Sequence, residues 1–554
     1  MPEIKTVGFF HIPISLKMKR AFIQTRPYGF RRFSATATGS KNPVNVAPAA
    51  GNSLDFNDTK IAFASKSTGE LFRAWYVLYG CSFGSLVKRA EKLYNLSLSV
   101  LGSKNTHYII EKTLFRHFCA GVDEQDIVKP IKRLEEYGVG GILDYAAEAK
   151  EDSSTDDSAE GKLPLKASAQ ARVHEYSSEA KCDENAEIFK HAINAVHNVS
   201  PKGFAAVKLS ALGEPALMER MSVALLEIES FFSRLGEGSS KLTFDQFLEG
   251  WKRFFTFHSI DQVRREFDRV DTDKDGVIDL VDWMSNLSLI QLTTLVSSCK
   301  DQGPLYRAAL NESELIQMKN LLRRCDEICG LASQLKVRVM IDAEWTAIQP
   351  AIDNTVMHMQ RKYNTLDAEH PVVFNTYQTY LVGSHDRVRN DLDRSKRESW
   401  KFGAKVVRGA YMVNERERAN RLGIPSPIYP TYKDTEANFH SVLKTLLGDA
   451  STEVMVASHN EGTMKFVLSQ LAELNKSKNQ VYFGQLLGMA DHLTFTLAAH
   501  KYQAYKYIPY GPVDEVMPYL IRRTQENSTL LGTPAVVAER KMLFKELRRR
   551  IVGF

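Results

Sequence analysis

The chain has 554 residues, a net charge of +6 and 44% hydrophobic residues, which is enough to bury a sizeable core. The charge is small for this length and concentrates at one end, so the composition argues against nucleic-acid binding as the main role. No run of about 18 apolar residues occurs, so the sequence predicts no membrane-spanning helix. The six cysteines form neither a CxxC motif nor a zinc spacing, which indicates reduced and mostly buried thiols.

The first 54 residues have the composition of a targeting leader. Between Ile4 and Leu54 there is no Asp or Glu. The same stretch contains eight basic residues, which are Lys5, Lys17, Lys19, Arg20, Arg26, Arg31, Arg32 and Lys41. Apolar residues are interleaved with the early basic ones, as is typical of a mitochondrial transit peptide. A disordered basic tail would have the same composition.

A helical region is predicted over residues 55–138, and eight short apolar runs follow it. The runs are 141–145, 205–209, 337–342, 372–377, 404–411, 453–458, 481–487 and 504–509. Most are continuous rather than alternating, as expected of parallel strands buried on both faces. Helical patterns lie between them, so we predict a (β/α)8 barrel. An open doubly wound sheet is the alternative, although no GxGxxG motif follows an early strand.

The spacing of these runs divides the chain further. Residues 139–210 are predicted to begin the barrel, with a flexible acidic linker at 150–170. The interval from 209 to 337 is far too long for one βα connection. We therefore predict an inserted all-α module over residues 211–300, with 301–554 forming the rest of the barrel and the C-terminal helices.

Residues 271–282 match the twelve-residue EF-hand loop. Carboxylates stand at positions 1, 3, 5, 9 and 12, which are Asp271, Asp273, Asp275, Asp279 and Asp282. Gly276 stands at the sharp turn, and Val277 can offer its carbonyl oxygen at position 7. Because position 12 is Asp rather than Glu, we expect weaker calcium binding or tolerance of magnesium. A solvated acidic loop is the alternative. An upstream helix pair, whose loop 236–242 lacks the ligand carboxylates, is predicted to be a partner that binds no ion.

Near the carboxyl end, Tyr519, Arg522, Arg523 and Glu526 fall at i, i+3, i+4 and i+7, so they share one helix face. Two guanidinium groups on one face can hold a carboxylate in a bidentate grip, and Glu526 can steady them. From spacing alone, a surface salt-bridge helix is the favoured interpretation.

Six segments together resemble the proline dehydrogenase family and occur in the family's order. They are MIDAE (340–344), FNTYQ (374–378), KVVRGAYM (405–412), VASHN (456–460), VYFGQLLGM (481–489) and YKYIPYGPVDEVMPYLIRRTQEN (505–527). The resemblance covers residues 138–547 apart from the insertion and is greatest to the mitochondrial enzymes of eukaryotes. It implies a distorted (β/α)8 TIM-like barrel with FAD at the carboxyl ends of the strands.

The resemblance also assigns roles to individual residues. It implies catalytic roles for Asp342, Lys405 and Lys208, with Lys405 standing where many members have an arginine near the flavin. It implies that the substrate is bound by Lys208, Tyr507, Arg522, Arg523 and Glu526. It implies that the cofactor is bound by Asn375, Lys405, Arg408, Gly409, Ala410, Ser458 and His459. Taken singly, His459 suits a core histidine, Tyr507 suits core packing, and Lys208 with Asp342 suits a plain ion pair. The joint pattern favours a site.

The implied reaction is FAD-dependent oxidation of L-proline to pyrroline-5-carboxylate, with electrons passed to ubiquinone. The implied place is the matrix side of the mitochondrial inner membrane, with peripheral membrane contact, and calcium is a candidate modulator. The proline amine must be neutral, so rates are expected to fall at low pH.

Three alternatives remain open. A hydroxyproline dehydrogenase would need room for a ring hydroxyl, which bulky Tyr507 restricts. A methylenetetrahydrofolate reductase would not need two arginines. A calcium-sensing scaffold with an inactive barrel would not have its flavin reduced by proline.

Overall fold

A computed structural model describes residues 54–87, 89–145, 178–257, 259–530 and 534–553. The chain divides into two units, Met1–Val46 and Ala47–Phe554, and all described residues belong to the second. The predicted linker at 150–170 and, except for Leu54, the predicted leader lie outside the described residues.

Eight parallel strands close into a barrel. The described strands are β1 Val139–Tyr145, β2 Phe204–Val207, β3 Lys241–Thr243, β4 Val277–Asp279, β5 Arg338–Ile341, β6 Val373–Gln378, β7 Gly403–Val407, β8 Glu453–Ala457, β9 Val481–Leu486 and β10 Gln503–Tyr510. All except β3 and β4 form the barrel, in the order β1-β10-β9-β8-β7-β6-β5-β2. The first and last strands pair directly, with Val139 beside Ala504 and Tyr145 beside Tyr510. The predicted barrel and its eight strands are confirmed.

Helices pack around the barrel. Up to residue 308 they are α1 Thr59–Ala62, α2 Thr68–Gly80, α3 Gly84–Val87, α4 Ala90–Ile110, α5 Arg116–Phe118, α6 Glu124–Glu136, α7 Glu179–Val199, α8 Pro215–Leu235, α9 Phe244–Phe254, α10 Ile260–Val270, α11 Leu280–Asn286, α12 Leu289–Leu295 and α13 Pro304–Ala308. After it they are α14 Glu312–Leu335, α15 Gln349–Tyr363, α16 Ser384–Arg397, α17 Met412–Leu422, α18 Tyr432–Gly448, α19 Glu461–Glu473, α20 Asp491–Ala499, α21 Met517–Leu530 and α22 Pro534–Val552. Within the described ranges, no helix combines the length and the apolarity that crossing a membrane requires.

Side chains fill the floor of the barrel. The ring of Phe204 packs edge-on against Phe374, Tyr482 and Tyr505, with centroid distances of 5.4, 5.3 and 5.2 Å. The guanidinium of Arg338 lies 4.0 Å from the centroid of the Phe204 ring. Phe204 and Arg338 are the first residues of β2 and β5, so the amino-terminal end is plugged and the carboxyl end remains for a site.

The segment between β2 and β5 contains two helix–loop–helix units joined by a short sheet. Helices α8 and α9 form one unit, and α10 and α11 form the other. Strands β3 and β4 pair antiparallel between the two loops, with Leu242 opposite Ile278. The predicted helices are confirmed, but two three-residue strands mean that the segment is not entirely α-helical.

A helix break after the acidic segment departs from the local sequence pattern. The apolar spacing over residues 281–292 is typical of one continuous helix, whereas α11 ends at Asn286 and α12 begins at Leu289. The Ser288 side chain accepts a hydrogen bond from the Gln291 amide, and the Gln291 side chain accepts one from the Ser288 amide. This capping box starts a new helix where the apolar pattern alone suggested continuation.

The two ends of the described chain pack together. Helix α2 contacts α22, and Arg550 donates a hydrogen bond to the Phe63 carbonyl oxygen at 2.8 Å. The hydroxyl of Thr59 donates to fully buried Glu546 at 3.0 Å. The amino-terminal helices are thus fixed by the final helix.

The cysteines match the expectation of reduced thiols. All six are free, and all except Cys299 are buried. Cys325 and Cys329 lie one turn apart in α14 and belong to the main hydrophobic core, so their spacing reflects helix packing.

Candidate active site

Four charged side chains meet at the carboxyl end of the barrel. Asp144 lies at the end of β1, Lys208 and Asp342 directly follow β2 and β5, and Lys405 lies within β7. Each is largely buried, with side-chain exposures between 4% and 14%. Parallel strands bring their carboxyl ends to the same mouth, which is where barrel enzymes place their chemistry.

Asp342 is the centre of this cluster. Its Oδ1 accepts a hydrogen bond from Lys405 Nζ, and its Oδ2 accepts one from the Tyr507 hydroxyl at 2.9 Å. Lys208 Nζ lies 3.7 Å from Asp342 Oδ2 and donates to Asp144 Oδ1 at 3.2 Å. The structure therefore brings together the predicted Asp342, Lys405, Lys208 and Tyr507.

The two carboxyl groups of the cluster have opposite pKa shifts. Burial raises the pKa of Asp342, but the ammonium groups of Lys405 and Lys208 outweigh it, and the net pKa is below the ordinary value. Burial also raises the pKa of Asp144, and Lys208 offsets it only in part, so the net pKa is above the ordinary value. Asp342 is thereby held as an anion, while Asp144 is better able to keep a proton.

Tyr507 packs on the mouth side of the barrel's inner core. Its ring packs against the cluster that fills the floor, and the ammonium of Lys405 lies 5.5 Å from its centroid. Burial raises the pKa of the Tyr507 phenol well above its ordinary value. The phenol therefore stays protonated and acts as a fixed donor to Asp342.

Helix α21 places the predicted arginine pair beside the mouth. The guanidinium of Arg523 lies 5.0 Å from the centroid of the Tyr519 ring, and the residue is 5% exposed. Arg522 is half-buried. The charge of Arg523 contributes to the pKa shift of His459, so the Arg523 guanidinium lies near the mouth and not in bulk solvent. Glu526 belongs to the same helix, but its side chain lies outside the described residues.

Arg408 follows β7 and lies half-buried among polar and aromatic partners. Its Nη1 donates to Ser458 Oγ and its Nη2 to Thr463 Oγ1, both at 2.8 Å. The guanidinium lies 4.5 Å from the centroid of the Phe439 ring. Nε is buried and has no partner in the described part of the chain. The burial lowers the pKa of Arg408.

Gly409 and Ala410 follow Arg408 at the rim. Gly409 has φ 144°, and a Cβ at this position would overlap the ring of Tyr380. Only glycine fits such a conformation at this close approach. Ala410 is exposed, so the segment presents backbone with little side-chain cover.

His459 is a neutral histidine with a defined tautomer. Its Nε2 accepts a hydrogen bond from the Leu486 amide at 3.0 Å, so its proton resides on Nδ1. Burial, together with the charges of Lys506 and Arg523, lowers the pKa of His459 to about 3. The ring can therefore act as a neutral hydrogen-bond donor at the end of β8.

Asn375 is not brought to the mouth. Its amide donates to Asp353 Oδ1 at 3.0 Å, between the barrel and α15. Side chains alternate along β6, and Phe374 lies in the inner cluster, so Asn375 faces outward. Gln378 lies on the inward face at the strand end, and its Oε1 is buried without a partner among the described residues. The prediction for Asn375 is corrected: Gln378 is the polar side chain that β6 presents to the mouth.

Two further residues were missed by the sequence analysis. Asp144 completes the charged cluster, and its place at a strand end was an available signal. Glu344 is fully buried, and its Oε1 accepts a hydrogen bond from the Ser210 amide at 3.0 Å. Burial raises the pKa of Glu344 to about 7. It joins the segment after β5 to the segment after β2.

Away from the mouth, the acidic segment 271–282, hereafter the cation loop, connects α10 to α11. Carboxylate oxygens of Asp271, Asp273 and Asp275 lie within 4.8 Å of one another. Asp271 is 4% exposed, and its Oδ1 accepts no hydrogen bond within the described residues. Val277 opens β4. The other two predicted ligands, Asp279 and Asp282, lie instead against Arg397 of α16.

A closed parallel barrel with a filled floor and a buried charged cluster at the carboxyl ends of its strands defines the class of barrel enzymes. Comparison with known proteins identifies the family within this class. The model of the family described as proline dehydrogenase matches residues 127–533, which is more than half of the chain. The chain belongs to the proline dehydrogenase family.

Similar proteins extend over nearly the whole sequence. Proline dehydrogenase 1, mitochondrial, from Homo sapiens is 38% identical over 93% of this chain and 92% of its own length. The protein of the same name from Caenorhabditis elegans is 36% identical over 90% and 88%. Hydroxyproline dehydrogenase from Bos taurus is more distant, at 30% identity over 89% and 92%.

A solved structure agrees with the fold. Proline utilization A from Bdellovibrio bacteriovorus aligns with a TM-score of 0.52 at 16% identity, covering 89% of this chain and 39% of that protein. At this identity the likeness concerns the fold alone.

Proposed function

We propose that this enzyme oxidises L-proline to pyrroline-5-carboxylate, with FAD as its cofactor, in proline catabolism. The observation that carries the proposal is the buried Asp342, joined to Lys208, Lys405 and Tyr507, with Arg523 of α21 buried close enough to shift the pKa of His459. The names of the similar proteins support the same reaction.

The substrate site is built to hold a small zwitterion. Arg522 and Arg523 hold the carboxylate of proline, since paired guanidinium groups bind a carboxylate in a planar and bidentate way. Lys208 supplements this positive field at the mouth. Tyr507 packs over the pyrrolidine ring from a position that its hydrogen bond to Asp342 fixes. Glu526, one turn after the arginine pair, is proposed to steady it.

The mouth also suits a flavin dinucleotide. Arg408 Nε and Gln378 Oε1 are buried polar atoms that lack partners among the described residues, and an added polar ligand would satisfy them. We assign the cofactor's binding to Lys405, Gln378, the segment 408–410, Ser458 and His459. When bound, FAD supplies the two-electron acceptor of the reaction.

The charged cluster governs the protons at the site. The proline nitrogen must be neutral before the adjacent ring carbon is oxidised, so one proton leaves the amine. Asp342 stays anionic and orients Lys405 and Tyr507, while Asp144 has the raised pKa of a group that can retain a proton. Activity is therefore expected to fall at low pH, where the amine stays protonated.

The arginine pair provides the direct test. In the double variant Arg522→Met and Arg523→Met, proline affinity should fall by about 2–5 kcal/mol, because a charge-assisted bidentate grip is lost. The measurement is anaerobic reduction of the bound flavin by a series of L-proline concentrations. Arg548→Met, on the exposed side of α22, is the matched control. Unchanged proline affinity in the double variant would refute the proposed carboxylate clamp.

Two competing functions are tested in the same assay. A hydroxyproline dehydrogenase would reduce its flavin faster with hydroxyproline than with proline. The ring of Tyr507, fixed by Asp342 and packed on the inner core, opposes that preference. A calcium-sensing scaffold with an inactive barrel would leave the flavin oxidised with either substrate.

The proposal extends to the enzyme's compartment and its electron acceptor. We infer a mitochondrial enzyme on the matrix side of the inner membrane that passes electrons to ubiquinone. The names of the similar proteins and the basic, acid-poor leader support the compartment. Peripheral membrane contact is supported by an aromatic face on and after α2. Its exposed side chains are Phe72, Tyr76, Tyr79 and Phe83.

We further propose that residues 211–300 are an inserted EF-hand-like module and that the cation loop binds calcium or magnesium. Three carboxylates lie within reach of one ion, and the buried Asp271 Oδ1 lacks a partner in the described chain. Hard oxygen ligands at this spacing suit either ion. The β3–β4 pairing supports the upstream unit as the loop's partner.

A further inference from the structure

Arg397, in the last turn of α16, extends its guanidinium into the cation loop. Its Nη2 lies 2.7 Å from Asp279 Oδ2, and its Nη1 lies 3.1 Å from Asp282 Oδ1 and 3.3 Å from Asp273 Oδ2. A fourth carboxylate, Asp393 on α16 itself, lies 2.7 Å from Nη2. The side chain of Arg397 is 16% exposed, so the contact is largely shielded from water.

These contacts fall on the loop's own ligand positions. Asp273, Asp279 and Asp282 stand at positions 3, 9 and 12 of the motif. A divalent ion coordinated by these oxygens would stand where the guanidinium now stands. Asp271 Oδ1 at position 1 is buried and has no partner among the described residues. Asp271 is thus available to an ion, and Asp275 at position 5 lies 3.6 Å from the exposed ammonium of Lys241. The carboxylates of Asp273, Asp279 and Asp282 are bound to an arginine from the barrel.

We propose that Arg397 is the internal cation of this loop and that a divalent metal ion displaces it on binding. The inference rests on the metal site proposed above and adds a competitor to it. Five carboxylates in one twelve-residue loop repel one another when uncompensated, and one guanidinium relieves part of that repulsion. A metal ion at the same oxygens repels the guanidinium, so the two cations exclude each other.

Displacement of Arg397 by a metal ion would affect α16, a helix that is bound to the barrel. On α16, Asp391 Oδ2 accepts a hydrogen bond from the Tyr377 hydroxyl of β6 at 2.9 Å, and Arg387 pairs with Asp353 of α15 at 2.9 Å. Without metal, Arg397 ties the far end of this helix to the loop. With metal, that tie is released, so metal occupancy changes the restraint on a helix attached to the strand that carries Gln378.

The test is calcium and magnesium titration calorimetry of the full-length, flavin-loaded protein. Arg397→Met should bind calcium roughly tenfold more tightly than the natural protein, because the competing charge is gone. Arg397→Lys keeps the charge but loses the bidentate geometry, so its affinity should lie between the two. Arg389→Met removes a positive charge from the same helix, where Arg389 pairs with Asp386 outside the loop, and should match the natural protein.

Hydrogen exchange gives a readout that needs no variant. Saturating calcium should speed amide exchange in the last turn of α16, residues 394–397, while exchange within the loop slows. Equal calcium affinities for the natural protein and Arg397→Met would overturn the competition and leave the metal site standing. Binding without faster exchange in α16 would overturn the displacement. Failure of every variant to bind either ion would refute the metal site itself.

Discussion

At the scale of single residues, the mouth of the barrel shows how environment separates two chemically identical groups. Asp342 contacts two lysines and the Tyr507 phenol, whereas Asp144 contacts one of those lysines, shares that phenol and is repelled by the Asp342 anion. Both are buried, yet their pKa values move in opposite directions. The difference follows from the number of positive partners, since burial alone would raise both pKa values.

Glu344 should make stability depend on pH. Its pKa is raised from 4.5 to about 7 in the folded protein because it is buried. The folded state therefore holds this proton more tightly than the unfolded chain, and the resulting stabilisation is lost as pH rises from about 4.5 to about 7. At pH 8 the cost amounts to about 3 kcal/mol relative to pH 4.

Glu344→Gln removes this titration while keeping the shape of the side chain. Relative to the natural protein, the variant should gain stability between pH 4 and pH 8. The measurement is urea unfolding at the two pH values, with Glu417→Gln on the exposed side of α17 as the control. A stability difference between Glu344→Gln and the natural protein that is the same at both pH values would contradict the assignment.

The sequence predicted much of the mouth but not its finer geometry. Lys208, Asp342, Lys405 and Tyr507 follow from family motifs at strand ends. The assignment of Asn375 rested on the family resemblance alone, and the sequence offered no independent check because β6 is buried on both faces. No hydrophobic alternation then marks which side chains point inward, so the register must come from the structure.

At the scale of elements, local signals sufficed for most helices and strands. Continuous apolar runs located all eight barrel strands, and capping boxes such as Asn311 with Glu314 mark where helices begin. The contact between Arg397 and the cation loop could not be predicted in this way. The paired side chains are more than 100 residues apart in the sequence, and no local sequence pattern indicates such a pairing.

The aromatic face of α2 should bind membranes. Phe72, Tyr76 and Tyr79 are 58%, 56% and 46% exposed and lie on one side of the helix. Aromatic side chains insert readily at the interface between lipid and water. Replacing all three with serine should lower binding to cardiolipin-containing phosphatidylcholine vesicles by roughly tenfold or more.

Vesicle sedimentation measures the loss of membrane binding. The flavin of the triple serine variant should still be reduced by proline. A matched control replaces three exposed apolar residues elsewhere, Ile290, Tyr306 and Ile316, with serine. Equal vesicle binding by the two triple variants would show that the α2 face is not the membrane-contacting surface.

At the scale of the whole molecule, the helices between β2 and β5 pack on the helices of the barrel. Helix α8 contacts α15, and α11 contacts α16. The Trp283 indole of α11 donates to the Ile228 carbonyl oxygen of α8 at 2.9 Å. Because one continuous core includes residues of both parts, an ion bound in the cation loop should stabilise more than the loop.

Calcium should therefore raise the unfolding temperature of the full chain. An ion that binds only the folded state contributes about 2.7 kcal/mol at a concentration one hundred times its Kd. We expect an upward shift of a few degrees Celsius in scanning calorimetry, and none in Asp275→Ala, which removes one of the three clustered carboxylates. A calcium-induced shift of equal size in Asp275→Ala would place the ion elsewhere.

The pairing of β1 with β10 places the closure of the barrel late in folding. Val139 pairs with Ala504 across more than 350 residues of chain, so the two strands meet only after a large loss of chain entropy. Until then β1 and β9 present open backbone edges, which are prone to pairing with other chains. We therefore expect aggregation of refolding chains to compete with this last pairing step.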